Sequence, residues 1–135
     1  MEILELKADK TNLEKMLDFI IENYSGYIKD KKTLYRLKVA SEEALMNIIN
    51  YAYQGDNGDI CITFEYIEKS NYTVLSIKDK GIAFNPLKVG EPDLKTEVEN
   101  REVGGLGVFM IKKLMDKVAY ERKDNTNILT LTKNV

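Results

Sequence analysis

The chain has 135 residues, 44% hydrophobic and 31% charged, which suits one ordered globular domain with a sizeable core and excludes a disordered chain. Its net charge is −2 with acids and bases interspersed, and no apolar run approaches the ~20 residues of a membrane span, so neither direct nucleic-acid binding nor membrane association is expected. There is no histidine, which removes Ser-His-Asp and Cys-His catalysis in their usual form, imidazole-bound zinc, and a phosphohistidine within the chain.

Residues 2–7 alternate as a short strand, with Ile3, Leu4 and Leu6 among Glu2, Glu5 and Lys7. The same stretch lacks the basic region and apolar core of a secretory signal, so a cytoplasmic protein is expected. Asp9 or Thr11 caps a helix over about 11–24, whose apolar stripe is Leu13, Met16, Leu17, Ile20 and Ile21, and Ser25-Gly26 breaks it. A long amphipathic helix follows, about 31–53. Leu34, Leu37, Ser41, Ala44, Leu45, Ile48 and Ala52 fall on one side of it, and Arg36, Glu43, Asn47 and Asn50 on the other. The run Gln54 to Gly58 ends it.

Residues 59–68 and 72–79 read as two strands joined at Lys69-Ser70-Asn71. The single Cys61 excludes an internal disulfide and a cysteine-built metal site; in its alternating apolar context a buried thiol is expected. Residues 80–103 hold both prolines and little periodicity, and read either as a functional lid or as a tolerated insertion. A helix over 108–118 carries Met110, Ile111, Leu114 and Met115. Residues 119–122 and 128–132 form a second hairpin around Asp124-Asn125-Thr126-Asn127. Three helices and about five strands in this order predict an α/β two-layer sandwich (α+β): a mixed, mainly antiparallel sheet with the helices on one face, forming a single domain over 1–135.

Three short stretches carry chemistry. Glu43 and Asn47 lie one helical turn apart on the polar face, where a carboxylate and a carboxamide can share a hydrated Mg²⁺ or a water; by itself the pair also reads as a solvated face. Asp79-Lys80-Gly81-Ile82-Ala83 begins where a strand ends. A carboxylate there can accept a hydrogen bond from an exocyclic amine, and small residues let a flat ring approach; a plain turn is the alternative. Gly104-Gly105-Leu106-Gly107-Val108 opens a helix, where free N–H groups and the helix dipole suit a phosphate; a hinge or cap is the alternative. It is not a Walker A loop, because no Lys-Ser or Lys-Thr follows the last glycine.

Taken together and in this order, the three resemble the GHKL (Bergerat-fold) ATP-binding domain shared by gyrase B, heat-shock clamp chaperones, mismatch-repair ATPases and histidine kinases. Glu-Ala-Leu-Met-Asn (43–47) looks like its N-box, Asp-Lys-Gly-Ile-Ala (79–83) its first glycine box, and Gly-Gly-Leu-Gly (104–107) its second. Within that superfamily the chain most resembles the anti-sigma-factor serine kinases of the RsbW/SpoIIAB type. The N-box Ser41-Glu-Glu-Ala-x-x-Asn with Tyr-Ala-Tyr after it, the run into Phe84-Asn85-Pro86, the second box through Asp116, and the Leu-Thr-Leu-Thr-Lys ending (129–133) carry that likeness. Ala83 stands where many relatives have Gly, and Tyr51 where many have His.

The resemblance implies ATP and Mg²⁺ as cofactors. The implied nucleotide-binding set is Asn47, Asn50, Asp79, Gly81, Ala83, Gly104, Gly105, Leu106, Gly107 and Val108, with Asn47 as the metal ligand, Asp79 on the adenine amine and residues 87–103 as the ATP lid. Glu43 would be the catalytic general base; Glu42, five residues from Asn47, is off that face. The implied activity is a protein serine/threonine kinase serving as an anti-sigma factor. A homodimer would phosphorylate a STAS-type anti-anti-sigma factor and hold an RNA polymerase sigma factor inactive. Two further readings are a non-catalytic ATP-binding module that captures a protein partner, and a histidine-kinase or clamp-ATPase catalytic domain; the lack of histidine and of further domains argues against the last.

Overall fold

The structure, a computed structural model, describes residues 1–85 and 105–135, and for residues 105–108 the backbone alone. Strands β1 (Glu2–Lys7), β2 (Asp59–Ile67), β3 (Tyr72–Asp79), β4 (Lys117–Lys123) and β5 (Thr126–Asn134) make one sheet in the order β1-β2-β3-β5-β4. Every pairing in it is antiparallel, so the expected mixed character is absent from the described sheet. Helices α1 (Leu13–Ser25), α2 (Lys31–Asn47) and α3 (Gly105–Leu114) complete the sandwich.

Period-two patterning decides which face of the sheet is covered. Ile62, Ile77 and Leu129 lie in one row across β2, β3 and β5, and Phe64, Leu75 and Leu131 in the next; all six are buried. They share one core cluster with Met16, Leu17, Ile20 and Tyr24 of α1, Leu37, Ala40 and Leu45 of α2, and Ile111 of α3. The alternate row, Thr63, Ser76 and Thr130, is only half-buried. Cys61 belongs to that outer face, opposite Glu5 and Lys78, so it is half-buried rather than buried as expected. A single step along a strand carries a side chain to the other face.

Local chemistry sets the helix starts. The Asp9 carboxylate accepts from the Thr11 N–H at 3.0 Å and caps a short 3₁₀ turn ahead of α1. Asp30 caps α2, accepting from the Lys32 N–H at 3.4 Å and the Thr33 hydroxyl at 2.6 Å.

Three boundaries differ from the sequence expectation. First, the long helix is α-helical only to Asn47; Ile48–Ala52 wind as a wider π turn. Second, the last helix spans 105–114 rather than 108–118. The Lys133 ammonium caps the Leu114 carbonyl at 2.8 Å, and Asp116 is already tied to β5 through Thr132 and Asn134. Third, the β4–β5 hairpin turns on two residues, not four. Asp124 and Asn125 have φ of 52° and 60°, the left-handed pair that a tight hairpin needs, so Asn127 belongs to β5.

Candidate functional site

Glu43 and Asn47 are the last polar pair of α2 before the π turn, about 6 Å apart along the axis, and both are half-buried. The Asn47 amide oxygen Oδ1 is buried and meets no hydrogen-bond donor among the described residues. An unmatched buried acceptor costs about 1–3 kcal/mol unless a donor or cation reaches it. Asn50 lies within the π turn and is exposed. Residues in a wider turn rotate less per step, so Asn50 leaves the line of Glu43 and Asn47 that a continuous α-helix predicts. Glu42 is exposed.

Asp79, the last residue of β3, is buried with 6% of its surface exposed. Its Oδ1 accepts from the Gly81 N–H at 2.9 Å and from the Asn127 amide at 3.0 Å. Oδ2 takes part in neither bond and remains as an acceptor. Asn127, directly opposite Asp79 in the β3–β5 register, is a node with every hydrogen-bonding position filled. It donates to Asp79 and to the Ile82 carbonyl at 2.7 Å, and accepts from the Tyr120 hydroxyl at 2.5 Å and from Arg122 Nη1 at 3.0 Å. Arg122 Nη1 also donates to the Gly81 carbonyl at 3.1 Å.

The π turn that follows α2 is fastened to the residues just after this strand end. The Ile82 N–H donates to the Ala52 carbonyl at 2.8 Å. A Cβ on Gly81 would stand 2.3 Å from that same carbonyl oxygen, so the room Gly81 leaves is taken by the Ala52 backbone. The Tyr53 hydroxyl donates to the Asp59 carbonyl at 2.5 Å and accepts from the Lys80 N–H at 2.8 Å, while its ring fills the space a side chain on Gly58 would need. Burial pushes the Tyr53 hydroxyl above its ordinary pKa, and the nearby Asp79 and Asp59 carboxylates add to the effect. Thus the segment bearing Glu43 and Asn47 and the segment bearing Asp79 and Gly81 meet at Ala52 and Tyr53. Ala83 is exposed beyond that contact.

The third segment begins α3 at Gly105, and α3 packs on α2. Its first backbone N–H groups have no intrahelical partner, which suits an anion. Gly104 and the expected lid, 87–103, lie outside the described residues; of Leu106, Gly107 and Val108 the helical backbone is described. Sequence reading missed Asn127, Arg122, Tyr120 and Tyr53. For Asn127 the signal was available: the alternation of buried Leu129 and Leu131, extended by two, puts residue 127 on the inner face.

The chain matches the family model of the histidine kinase-like ATPase domain over residues 6–133. It belongs to that family. Curated relatives in it include the serine-protein kinase RsbW of Bacillus thuringiensis (strain Al Hakam), 31% identical over 127 residues that cover 91% of this chain and 77% of that one. RsbW of Bacillus anthracis is 33% identical over the same shares. Among solved structures, the nucleotide-free catalytic domain of the histidine kinase ThkA superposes with a TM-score of 0.52 at 18% identity, covering 99% of this chain and 96% of that one. At that identity the likeness establishes the common fold, a five-stranded antiparallel sheet under three helices. No described helix of this histidine kinase-like ATPase domain is long and apolar enough to cross a membrane.

The donor set fits a magnesium-bound nucleotide. Asn47 offers a hard, buried, unmatched oxygen. Among the described residues no group of three or more His, Cys, Asp or Glu side chains converges on a metal position. Mg²⁺ retains waters and is ordinarily held by one or two protein oxygens together with substrate phosphates, so a single protein ligand is sufficient.

Proposed function

We propose that this protein is an ATP-dependent serine/threonine protein kinase acting as an anti-sigma factor, with a STAS-type anti-anti-sigma factor as acceptor, a sigma factor as captive and a homodimer as its working form. The observation that carries the reading is the Glu43–Asn47 pair: a carboxylate one turn from a buried acceptor oxygen that the described residues leave unmatched, on the helix whose following π turn is bonded to the segment after Asp79. The RsbW relatives, named serine-protein kinases, support the same chemistry.

Asp79 would accept the adenine amine through Oδ2, its other oxygen being held by Gly81 and Asn127. Asn47 would hold Mg²⁺, which when bound neutralises charge on the phosphates. The α3 N-terminus, with Gly105 and Gly107, would receive phosphate oxygens. Glu43 would take the proton from an incoming Ser or Thr hydroxyl as its oxygen bonds to the γ-phosphorus and the bond to ADP breaks.

Incubation with labelled ATP, Mg²⁺ and each candidate STAS protein tests this. Label is expected on serine or threonine of one STAS chain, reduced about 10²–10⁴-fold by Glu43→Ala with ATP affinity retained. ATP binding with label on no acceptor would instead favour a non-catalytic binding module.

A further inference from the structure

The first two turns of α2 carry more positive charge than the fold requires. Residues 29–38 hold Lys29, Lys31, Lys32, Arg36 and Lys38 against one carboxylate, Asp30, in a chain whose net charge is −2. Cations near a helix N-terminus face the positive end of the helix dipole and are unfavourable there. α2 has no acidic residue in its first turn to offset them. Asp30 is engaged in capping through Lys32 and Thr33. Among the described residues none of the five cations forms an ion pair; Lys29 donates instead to the Ser25 carbonyl at 2.9 Å. Amid them stands Tyr35, 68% exposed. Arg36 lends some charge to the Asp30 carboxylate and Lys29 serves the Ser25 carbonyl, but Lys31, Lys32 and Lys38 break the local rule without such a return, which points to a functional surface.

Helical spacing aligns this patch with the site. Lys32 and Arg36 are one turn apart with Tyr35 beside them, and all three are exposed. The same stripe runs on through half-buried Val39 to Glu43. Along the axis Arg36 is about 10 Å and Lys32 about 16 Å from Glu43.

We propose that the Lys32–Tyr35–Arg36 stripe is a docking surface for an acidic segment of the protein that receives the phosphoryl group. It rests on Glu43 acting at the acceptor hydroxyl. Tyr and Arg are residue types that anchor protein interfaces. A stripe this short matches a peptide segment, and the net negative charge of the chain disfavours an extended polyanion such as nucleic acid or an anionic bilayer. An extended peptide covers about 3.3 Å per residue, so carboxylates about three and five positions from the acceptor hydroxyl would reach Arg36 and Lys32. Carboxylates next to the hydroxyl would be repelled by Glu42 and Glu43.

The test uses fluorescent serine peptides of about twelve residues, a length that spans the stripe. One set carries glutamates three and five positions from the serine, on either side; a second carries them adjacent to it; a third carries glutamines. Anisotropy is read with ADP present, on the full chain and on the Lys32→Glu/Arg36→Glu variant. The first set is expected to bind about 10-fold more tightly than the others, a preference that shrinks as salt rises from about 0.05 M to about 0.3 M. The variant loses the preference and keeps its ATP affinity and its folded circular-dichroism spectrum, because both side chains are exposed and position 32, in the first turn of α2, suits a glutamate. Equal binding of the three sets, or a preference that survives in the variant, overturns the proposal. Tighter binding of a single-stranded oligonucleotide or of phosphatidylserine vesicles, lost in the same variant, overturns it in favour of a polyanion. A peptide preference with no label transferred from ATP to serine supports the docking surface and counts against the phosphotransfer reading alone.

Discussion

Asp79 is buried and held at Oδ1 by two donors, from Gly81 and Asn127, whereas the amide oxygen of half-buried Asn47, itself buried, meets none among the described residues. The strand end is finished by the protein itself: Asn127, Tyr120 and Arg122 fix one carboxylate oxygen and leave the other for a ligand. The helix end is unfinished, with an acceptor whose partner the described fold does not supply. Under the proposed function Asp79 would read the base, and such a position benefits from rigidity, because selecting an amine over a carbonyl depends on an acceptor that cannot reorient. Asn47 would, under the same proposal, hold Mg²⁺, and such a position benefits from an acceptor left free. The two are linked through Ala52 and Tyr53, which bind the π turn after α2 to residues 80–82.

Asn127→Ala should break the finished end most severely. It leaves Asp79, the Ile82 carbonyl, Tyr120 and Arg122 short of partners, and a loss of about 3 kcal/mol is expected in urea unfolding, together with weaker ATP binding. Gly81→Ala acts at the junction instead, forcing a methyl toward the Ala52 carbonyl; about 1–3 kcal/mol of destabilisation is expected, read as a lower denaturation midpoint. Asn47→Leu should move the other way. Removing an unmatched buried acceptor raises the stability of the nucleotide-free protein by about 1 kcal/mol while abolishing the magnesium dependence of ATP binding. If Asn47→Leu destabilises the free protein instead, the contrast between the two ends is wrong.

The smallest effect lies away from the site. The Tyr24 hydroxyl is buried near the Thr73 side chain, and burial pushes its pKa well above the ordinary tyrosine value, with Thr73 opposing the shift only in part. A raised folded-state pKa contributes stability that is complete below the unfolded value, about 10, and is lost as pH rises beyond it. Stability should therefore fall above pH ~10, and Tyr24→Phe should flatten that fall while changing neutral-pH stability by less than about 1 kcal/mol.

The sheet was legible in the sequence because Ile60, Ile62 and Phe64, and then Leu75 and Ile77, alternate without interruption. Three features were not. The π turn at Ile48–Ala52 leaves the apolar pattern nearly intact, so the sequence reads as unbroken α-helix while the structure moves Asn50 off the line of Asn47. Asn127 is in phase with buried Leu129 and Leu131, but that cue is overridden by a run of Asp, Asn and Thr that looks like a four-residue turn, although two left-handed residues suffice. The tightness at Gly81 is a tertiary fact: its space is filled by Ala52, which lies 29 residues earlier in the chain.

The most direct test of the convergence of Asn47 and Asp79 on one nucleotide is calorimetric titration of ATP into the protein with Mg²⁺ and with EDTA. One saturable site per chain is predicted, with affinity that falls at least about 10-fold in EDTA for the wild type and does not change in Asn47→Leu. Equal affinity with and without Mg²⁺ in the wild type, or no saturable heat at all, would contradict it.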